Sequence, residues 1–385
     1  MRGWRLTTLV ALVALVLPTV AVAEGYRTSV GEGEDAIAVV VVRGTSYEMG
    51  RSLGELVKAE ATALLTRFLG GVQASGDERY SDATLDAAWE AVAPHTDDRF
   101  KEELRGLADG AGLSQDLVRR AHMIPVVSDY SCSSIAAWGK ATRNGHLYQT
   151  RNLDWEMGLG AQDYPCLVVY LPEEGVAHVN VTFAGYIGVN TGMSAAGIVM
   201  AEMGDSPGRD YPFDLDGVHF TTLFRKVLYD ARNLDQAIGM FQAAPRIKKY
   251  HYVVGDGGTR RAVKMLAHAP DLIVWTDNDP TDELAPNVIE HVVYQDEGRG
   301  AFGPIKECWG AIGHEDMIAI AKKIPIKGGN VLDVVYDGTM LELWVAYAEK
   351  QSEAYLRPFV HVVLRDYLDY ERGREKAQPA EKSGS

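Results

Sequence analysis

Apolar residues follow different spacings in the two parts of the chain, and the change falls near residue 131. The run at 36–42 is continuous and β-branched, which predicts a strand covered on both faces. Apolar residues then recur at helical spacing, which predicts a mainly helical segment up to residue 131. The helices are expected at about 45–68, where Gly70-Gly71 ends the first, 82–92, 97–108 and 114–123.

After residue 132 the pattern changes to short strand-like runs that alternate with turns. Strands are predicted at 133–138, 146–153, 166–171, 176–183, 196–203, 250–255, 261–267, 271–276, 288–294, 331–336 and 341–347. Helices are predicted at about 218–230, 234–243, 314–323 and 353–369. We therefore expect one α+β domain of stacked sheets flanked by helices, followed by a charged, disordered tail at 372–385.

The first residues are typical of a secretory signal. Arg2 and Arg5 precede an apolar run at 6–22, and Ala21-Val22-Ala23 stands before Glu24. A basic start, an apolar stretch and small residues at the end predict a signal peptide over 1–23, with cleavage at about Ala23/Glu24. A membrane anchor is the alternative, which the shortness of the run disfavours. The protein is therefore expected to be secreted or periplasmic, without a stable membrane anchor.

Charge and cysteine content narrow the function further. With 53 acidic against 38 basic residues, a formal net charge of −15 argues against nucleic acid and anionic membranes as partners. The three cysteines, Cys132, Cys166 and Cys308, leave at least one thiol unpaired, and a Cys166–Cys308 disulfide stays open. No metal-ligand spacing occurs, so we expect neither a metal nor another cofactor.

Cys132 is the candidate nucleophile, at the point where the two parts of the chain meet. A cysteine thiol titrates near pH 8.5, so it needs a base or a cation nearby. If self-cleavage made Cys132 a new N-terminus, its α-amine, with a pKa of about 7.7–8.0, could take the thiol proton. Arg151 would then favour the thiolate, and Asp154 would orient the ammonium.

The hairpin formed by 133–138 and 146–153 offers two registers. A two-residue Asn144-Gly145 loop would set Cys132 opposite Met157, whereas a five-residue loop at 141–145 sets Cys132 opposite Asp154. We favour the second register because it serves the chemistry. It places Arg151 on the other face of the hairpin unless the strand contains a bulge.

Several motifs resemble one known family. They are Ser131-Cys132-Ser133-Ser134, Arg151-Asn152-Leu153-Asp154-Trp155 and Gly192-Met193-Ser194-Ala195-Ala196-Gly197, with upstream matches at 44–50 and 103–112. The chain, from about 36 to 370, resembles the penicillin (isopenicillin N) acyltransferase family of N-terminal nucleophile hydrolases, which also include bile-salt hydrolases and acid ceramidase. The resemblance implies a four-layer αββα fold, self-cleavage between Ser131 and Cys132, and action on carbon–nitrogen amide bonds. It makes Cys132 the nucleophile and Arg151 and Asp154 its partners.

The sequence departs from that family at three positions. Ser131 stands where glycine is usual, Ser194 stands where asparagine is usual, and His251 is the nearest match to an asparagine that helps to form the oxyanion hole. His251 is therefore a catalytic candidate, and a satisfied core histidine is the alternative. Asn190, Ser194, Asn152 and Trp155 are the further oxyanion or substrate candidates.

These observations predict an exported, self-cleaving cysteine hydrolase of a linear N-acyl amide. Residues 24–131 would form a mainly helical first chain, which stays bound to the catalytic second chain, 132–371. The partner is a small-molecule amide, and a homo-oligomer stays open. One alternative is acyl transfer to an amine, and a second is an uncleaved binding protein. A third is a thiol endopeptidase, which is disfavoured because this sequence has no Cys–His signature.

Overall fold

The computed structural model describes residues 24–129, 131–204, 213–268, 270–277, 279–282, 285, 287–296, 298, 300–326 and 328–377, with Ser131 described by its backbone. The predicted signal peptide at 1–23 lies outside these residues, as do positions 378–385 of the predicted tail.

Two β-sheets form the centre of the molecule. Their strands are β1 Glu24–Val30, β2 Ile37–Gly44, β3 Ser131–Gly139, β4 Gly145–Asp154, β5 Pro165–Pro172, β6 His178–Phe183, β7 Thr191–Ser194, β8 Ile198–Gly204, β9 Lys249–Asp256, β10 Arg261–His268, β11 Asp271–Trp275, β12 Val292–Gln295, β13 Asn330–Asp337, β14 Glu342–Tyr347 and β15 Val360–Val363. The nine-stranded sheet has the order β1-β2-β5-β6-β7-β8-β9-β10-β11, and the six-stranded sheet has the order β12-β3-β4-β13-β14-β15. Strands β2 and β5 are parallel, and the other pairs are antiparallel.

Helices cover the outer faces of both sheets. They are α1 Ser46–Leu56, α2 Lys58–Gln73, α3 Asp82–Val92, α4 Asp98–Ala111, α5 Gln115–Val127, α6 Phe220–Asp230, α7 Leu234–Ala243, α8 Phe302–Cys308, α9 His314–Ala321 and α10 Tyr370–Ala377. Helices α1, α2, α4 and α5 pack against β2 and β5, and α6 and α7 cover β8 to β10. Helices α8 and α9 cover β3, β12 and β13.

Strand β2 is buried on both faces, one against the core between the sheets and the other against helices. Alternate residues of β2 point into this core, and their neighbours pack against helices, so Val39, Val40, Val41 and Val42 are all fully buried. A continuous β-branched run is what such a strand requires, because both of its faces are covered. The layers run helix, sheet, sheet, helix, which confirms the predicted αββα fold.

Helices α1 and α4 pack at backbone contact. A Cβ added to Gly50 would lie 2.2 Å from the Glu103 carbonyl oxygen, and one added to Gly106 would lie 2.1 Å from that of Tyr47. Real Cβ atoms do not approach so closely, so the two helices need glycine at these positions. The upstream motifs at 44–50 and 103–112 therefore contain the contact between these helices.

Several predicted elements differ from the structure. The helix expected over 45–68 is two helices separated at Val57, and Gly70-Gly71 does not end the second, which continues to Gln73. The helix expected over 353–369 is wrong: the β-branched run at 360–363 pairs with β14 instead, and the last helix begins at Tyr370. The tail expected to be disordered from 372 is helical as far as Ala377. Strands β1, β7 and β15 and helix α8 were not predicted.

Candidate active site

The hairpin β3–β4 places the candidate residues in a register that was not expected. Cys132 lies opposite Leu153, and Ser131 lies opposite Asp154, so the predicted pairing of Cys132 with Asp154 is wrong by one residue. The cause is a register shift between Ala137 and Gly139 near the turn, where Gly139 has a left-handed φ of 56°. Because side chains alternate along a strand, Arg151 comes to lie on the same face as Cys132 and needs no bulge of its own.

Cys132 is fully buried in the core between the sheets. Burial raises the pKa of its thiol far above the ordinary value, and the negative charges of Glu202 and Asp154 act in the same direction. The positive charge of Arg151 and a hydrogen bond from the backbone N–H of Asp154 oppose this shift without cancelling it. In the continuous chain, the thiol is therefore protonated at neutral pH.

Arg151 connects the two sheets. Its Nη2 atom lies 3.7 Å from Oε2 of Glu202, which belongs to β8 in the other sheet, and both side chains are fully buried. Among the described residues, none of its three guanidinium nitrogens makes a hydrogen bond. The sequence reasoning missed Glu202, although an acidic residue inside the apolar strand 198–204 was a signal for it.

Asp154 ends β4 next to a second buried carboxyl group. Nδ2 of Asn330 lies 3.4 Å from Oδ1 of Asp154 and donates a 2.7 Å hydrogen bond to Oδ1 of Asp333. Burial raises the pKa of Asp333 to about 7, and the negative charge of Asp154 raises it as well, while Asn330, Arg151 and Lys322 lower it. Asp333, like Glu202, is an acidic residue inside an apolar strand, which was a signal that the sequence reasoning also missed, whereas the pattern of the strand predicted at 331–336 gave none for Asn330.

An apolar pocket opens beside the end of β4. Trp155, which directly follows Asp154, forms part of its wall and meets Phe68 edge-on, with ring centroids 5.2 Å apart. The lining residues are Leu64, Leu65, Phe68, Pro125, Trp155, Ala161, Phe183, Tyr186 and Asn190. Asn190 is among the lining residues, and the wall draws on residues from both sides of Cys132 in the sequence. Such a pocket suits an apolar group.

The remaining candidates lie in different surroundings. The Asn152 amide donates to the Ala321 carbonyl at the end of α9 over 3.3 Å, and the Ser194 hydroxyl accepts from the Ile198 N–H over 3.3 Å in the turn between β7 and β8. His251 is fully buried on β9 opposite Met203, with its ring stacked on Trp275 at a centroid distance of 6.5 Å. The structure therefore places Arg151 on the same face as Cys132, and Asp154 on the other face, near enough for its backbone N–H to bond to the thiol and its charge to act on it. It gives Asn152 and Ser194 contacts with backbone groups elsewhere.

The other two cysteines lie on opposite sides of the molecule. Cys166 packs beneath the helices that cover β5, and Cys308 packs against the helices on the six-stranded sheet. Neither Cys166 nor Cys308 takes part in a disulfide, so the Cys166–Cys308 bond does not form. The described residues contain no group of three or more His, Cys, Asp or Glu side chains arranged to hold a metal ion. No helix in the part of the chain that the structure describes is long and apolar enough to cross a membrane.

Comparison with known proteins finds similarity to an acyl-transferase family, to an acid amidase and to a Dictyostelium protein. The family model of acyl-coenzyme A:6-aminopenicillanic acid acyl-transferase matches residues 141–279, a segment that contains Arg151 and Asp154. Protein dcd1B of Dictyostelium discoideum is 28% identical over 71% of this chain and 59% of its own length. The N-acylethanolamine-hydrolyzing acid amidase of Oryctolagus cuniculus is 28% identical over 43% of this chain and 46% of its own length. The solved structure of a Caenorhabditis elegans orthologue of that amidase covers 59% of this chain and 98% of its own, at 15% identity and a TM-score of 0.44.

These matches confirm the resemblance that the motifs indicate. Over residues 141–279 the chain is similar to that acyl-transferase family, and over 43% of its length it is similar to the acid amidase. The named relatives are an acyltransferase and an amide-cleaving hydrolase, which is the enzyme class predicted from the sequence. The chain spans little more than half the length of dcd1B, and the alignment with the amidase spans less than half of that protein.

Proposed function

We propose that this protein is an exported enzyme that cleaves itself before Cys132 and then hydrolyses a linear N-acyl amide through a Cys132 thioester. The observation that carries the proposal is the convergence of Cys132, Arg151 and Asp154 within one buried site beside an apolar pocket. Convergence of a nucleophile with a cation and a carboxylate is the pattern expected of an activated thiol.

In the self-cleavage step, Sγ of Cys132 attacks the carbonyl carbon of Ser131. The carbon–sulfur bond forms as the carbon–nitrogen bond breaks, and the thiol proton ends on the released amine. Water then hydrolyses the thioester, which leaves a carboxylate on Ser131 and returns the thiol of Cys132.

In the catalytic step, the α-amine of Cys132 takes the thiol proton, and the thiolate attacks the substrate amide. The amine product leaves with that proton, and water resolves the acyl thioester to a carboxylic acid. Asp154 orients the ammonium, and the donors of Arg151 face the negative charge that develops on the substrate. Asn190 and His251 are candidates for completing the oxyanion hole, together with backbone N–H groups. The pocket wall favours an apolar acyl group.

Acyl transfer to an amine is the second candidate, because it uses the same thioester and the matching family model describes an acyltransferase. The two outcomes differ in what resolves the thioester. Water is always present outside a cell, so export favours hydrolysis. Adding increasing concentrations of a primary alkylamine at near-neutral pH, where most of it is protonated and unreactive without an acceptor site, separates them: a transferase diverts most of the acyl group to the amine, and a hydrolase continues to release acid.

The deciding experiment measures the intact mass of purified protein, with Cys132→Ala as the test variant and Cys166→Ala and Cys308→Ala as matched controls. Two fragments that meet between Ser131 and Cys132 are expected in the wild type and both controls, and one intact chain is expected in Cys132→Ala. An intact wild-type chain would refute the free-amine mechanism and would favour the uncleaved binding protein, which the Ser131 and Ser194 departures also suggest. Cleaved protein is then assayed on amides whose acyl chains differ in length.

A further inference from the structure

The segment that leads into Cys132 is held by side chains from two distant parts of the chain. Ser128, which follows the end of α5, bonds through its hydroxyl to the Ile124 carbonyl at 2.7 Å and to the Tyr80 hydroxyl at 3.1 Å. The next residue, Asp129, forms an ion pair with Arg79 at 3.2 Å. These contacts fix the backbone from the last turn of α5 to within two residues of Ser131.

Lys248 adds the one contact of this set that crosses the proposed cleavage point. Its Nζ donates to the Ser128 carbonyl at 2.7 Å and to the Val126 carbonyl at 3.2 Å. Carbonyl groups at the C-terminal end of a helix form the negative pole of its dipole, so a lysine ammonium is stabilised there. The ammonium also lies 4.0 Å from the ring centroid of Phe213, which adds a cation–π contact.

The backbone of Lys248 is strained. Its φ is 60°, in the left-handed region that residues with a Cβ atom seldom adopt. Such strain persists where the surrounding contacts determine the conformation. Lys248 immediately precedes β9, so this conformation turns the chain into the sheet while the side chain points back to the end of α5.

We propose that Lys248 is a positioning residue for self-cleavage, because it holds the segment that carries the Ser131 carbonyl in place for attack by the Cys132 thiol. The inference rests on the proposed function. Attack requires the reacting atoms to lie about 3–3.5 Å apart in the right orientation, and a misplacement of 1 Å can cost about 100-fold in rate. A clamp three residues before the scissile bond acts on this geometry. After cleavage the same contact joins the two chains.

The test follows self-cleavage of the full chain by intact mass after pulsed cell-free synthesis. Lys248→Met keeps the length of the side chain and removes its donors, and Lys248→Arg restores donors. Lys226→Met is the matched control, because Lys226 also makes a 2.9 Å contact with an oxygen, that of Asp97. We expect Lys248→Met to slow cleavage about tenfold, and Lys248→Arg and Lys226→Met to stay within about threefold of the wild type.

Two further measurements separate positioning from loss of stability. The thermal midpoint of Cys132→Ala is compared with that of the double variant that also carries Lys248→Met. In addition, kcat/KM is measured on fully cleaved Lys248→Met and on fully cleaved wild type. Positioning predicts a cleavage rate that falls far more than kcat/KM, with Lys248→Arg recovering it. Unchanged cleavage in Lys248→Met overturns the inference, as does equal slowing in Lys226→Met. An intact wild-type chain refutes the proposed function itself, and the inference with it.

Discussion

Two fully buried arginine–glutamate pairs lie in different layers of this molecule. Arg225 on α6 pairs with Glu103 on α4 at 2.5 Å, in the layer between helices and sheet. Its guanidinium carbon lies 3.4 Å from the ring centroid of Tyr170, and its Nη2 also donates to the Tyr229 hydroxyl at 3.3 Å. This pair has the short distance and the additional partners that a structural ion pair needs.

Arg151 and Glu202 form the second pair, between the two sheets. Their closest nitrogen–oxygen distance is 3.7 Å, and no guanidinium nitrogen of Arg151 makes a hydrogen bond to the described residues. A buried charge with unused donors is costly, since each missing hydrogen bond to a buried group costs about 1–3 kcal/mol. Nε and Nη1 of Arg225 also make no hydrogen bond to the described residues, so the two pairs differ in the 2.5 Å contact and the Tyr229 bond of Arg225 Nη2. This difference indicates that the first pair stabilises the fold more than the second, and we propose that the donors of Arg151 serve a ligand.

The largest expected effect is on stability at the first pair. Arg225→Met leaves Glu103 buried without its cation, which should lower the free energy of unfolding by about 3–5 kcal/mol. Denaturant unfolding in a Cys132→Ala background measures this on a single chain. Arg232→Met is the surface control and should stay within about 0.5 kcal/mol. A loss below about 1 kcal/mol at Arg225 would contradict its structural role.

At the second pair, the main loss should be in activity. In the proposed mechanism the donors of Arg151 face the developing charge, so Arg151→Met should lower kcat/KM of folded, cleaved protein by about 10²–10³. The loss of unfolding free energy should be smaller than in Arg225→Met, because a longer ion pair without hydrogen bonds is removed. If Arg151→Met retained activity and unfolded as readily as Arg225→Met, the distinction between the two pairs would be wrong.

How far the sequence could predict these features depends on their separation along the chain. The apolar pattern was sufficient for β2, α3 and α7, and the motif at 151–155 was sufficient to bring Arg151 and Asp154 to Cys132. Glu202 reaches Arg151 only through the packing of one sheet on the other, which no local pattern encodes. The shift near Gly139 changed the predicted register, because a single irregular pair moves side chains to the other face.

Asp333, the buried carboxyl group next to Asp154, offers a test in which the substitution should stabilise the protein and not destabilise it. Asp333 has a pKa of about 7 in the folded protein and about 3.9 when unfolded. The folded state therefore holds the proton more tightly, so the stability of the wild type should fall as the pH rises from about 4 to about 7, and should then level off. Asp333→Asn removes this dependence and should stabilise the protein by about 1–3 kcal/mol at pH 8.

Unfolding of both proteins in the Cys132→Ala background, at pH 4, 6 and 8, measures the difference. The two curves should converge towards pH 4, because Asp333 becomes protonated in both states as the pH falls through its unfolded pKa of about 3.9. Such a result would show that a buried charge at Asp333, next to Asp154, lowers the stability of the protein, as we argue for the buried charge of Arg151. Equal stability at every pH would mean that Asp333 is not held protonated by its surroundings.

The smallest expected effect concerns Ser194, which the motif nominated for the oxyanion hole. Its hydroxyl already accepts a hydrogen bond from the Ile198 N–H, so Ser194→Ala should cost about 1 kcal/mol of stability and leave kcat/KM within about twofold. Asn190→Ala is the matched variant, because Asn190 lines the pocket, and it should raise KM or lower kcat. A loss of 100-fold or more in Ser194→Ala would reverse the assignment. It would mean that a satisfied buried polar group can still serve the reaction, and the hydrogen bond of Arg225 Nη2 would then no longer separate the Arg225 pair from the Arg151 pair.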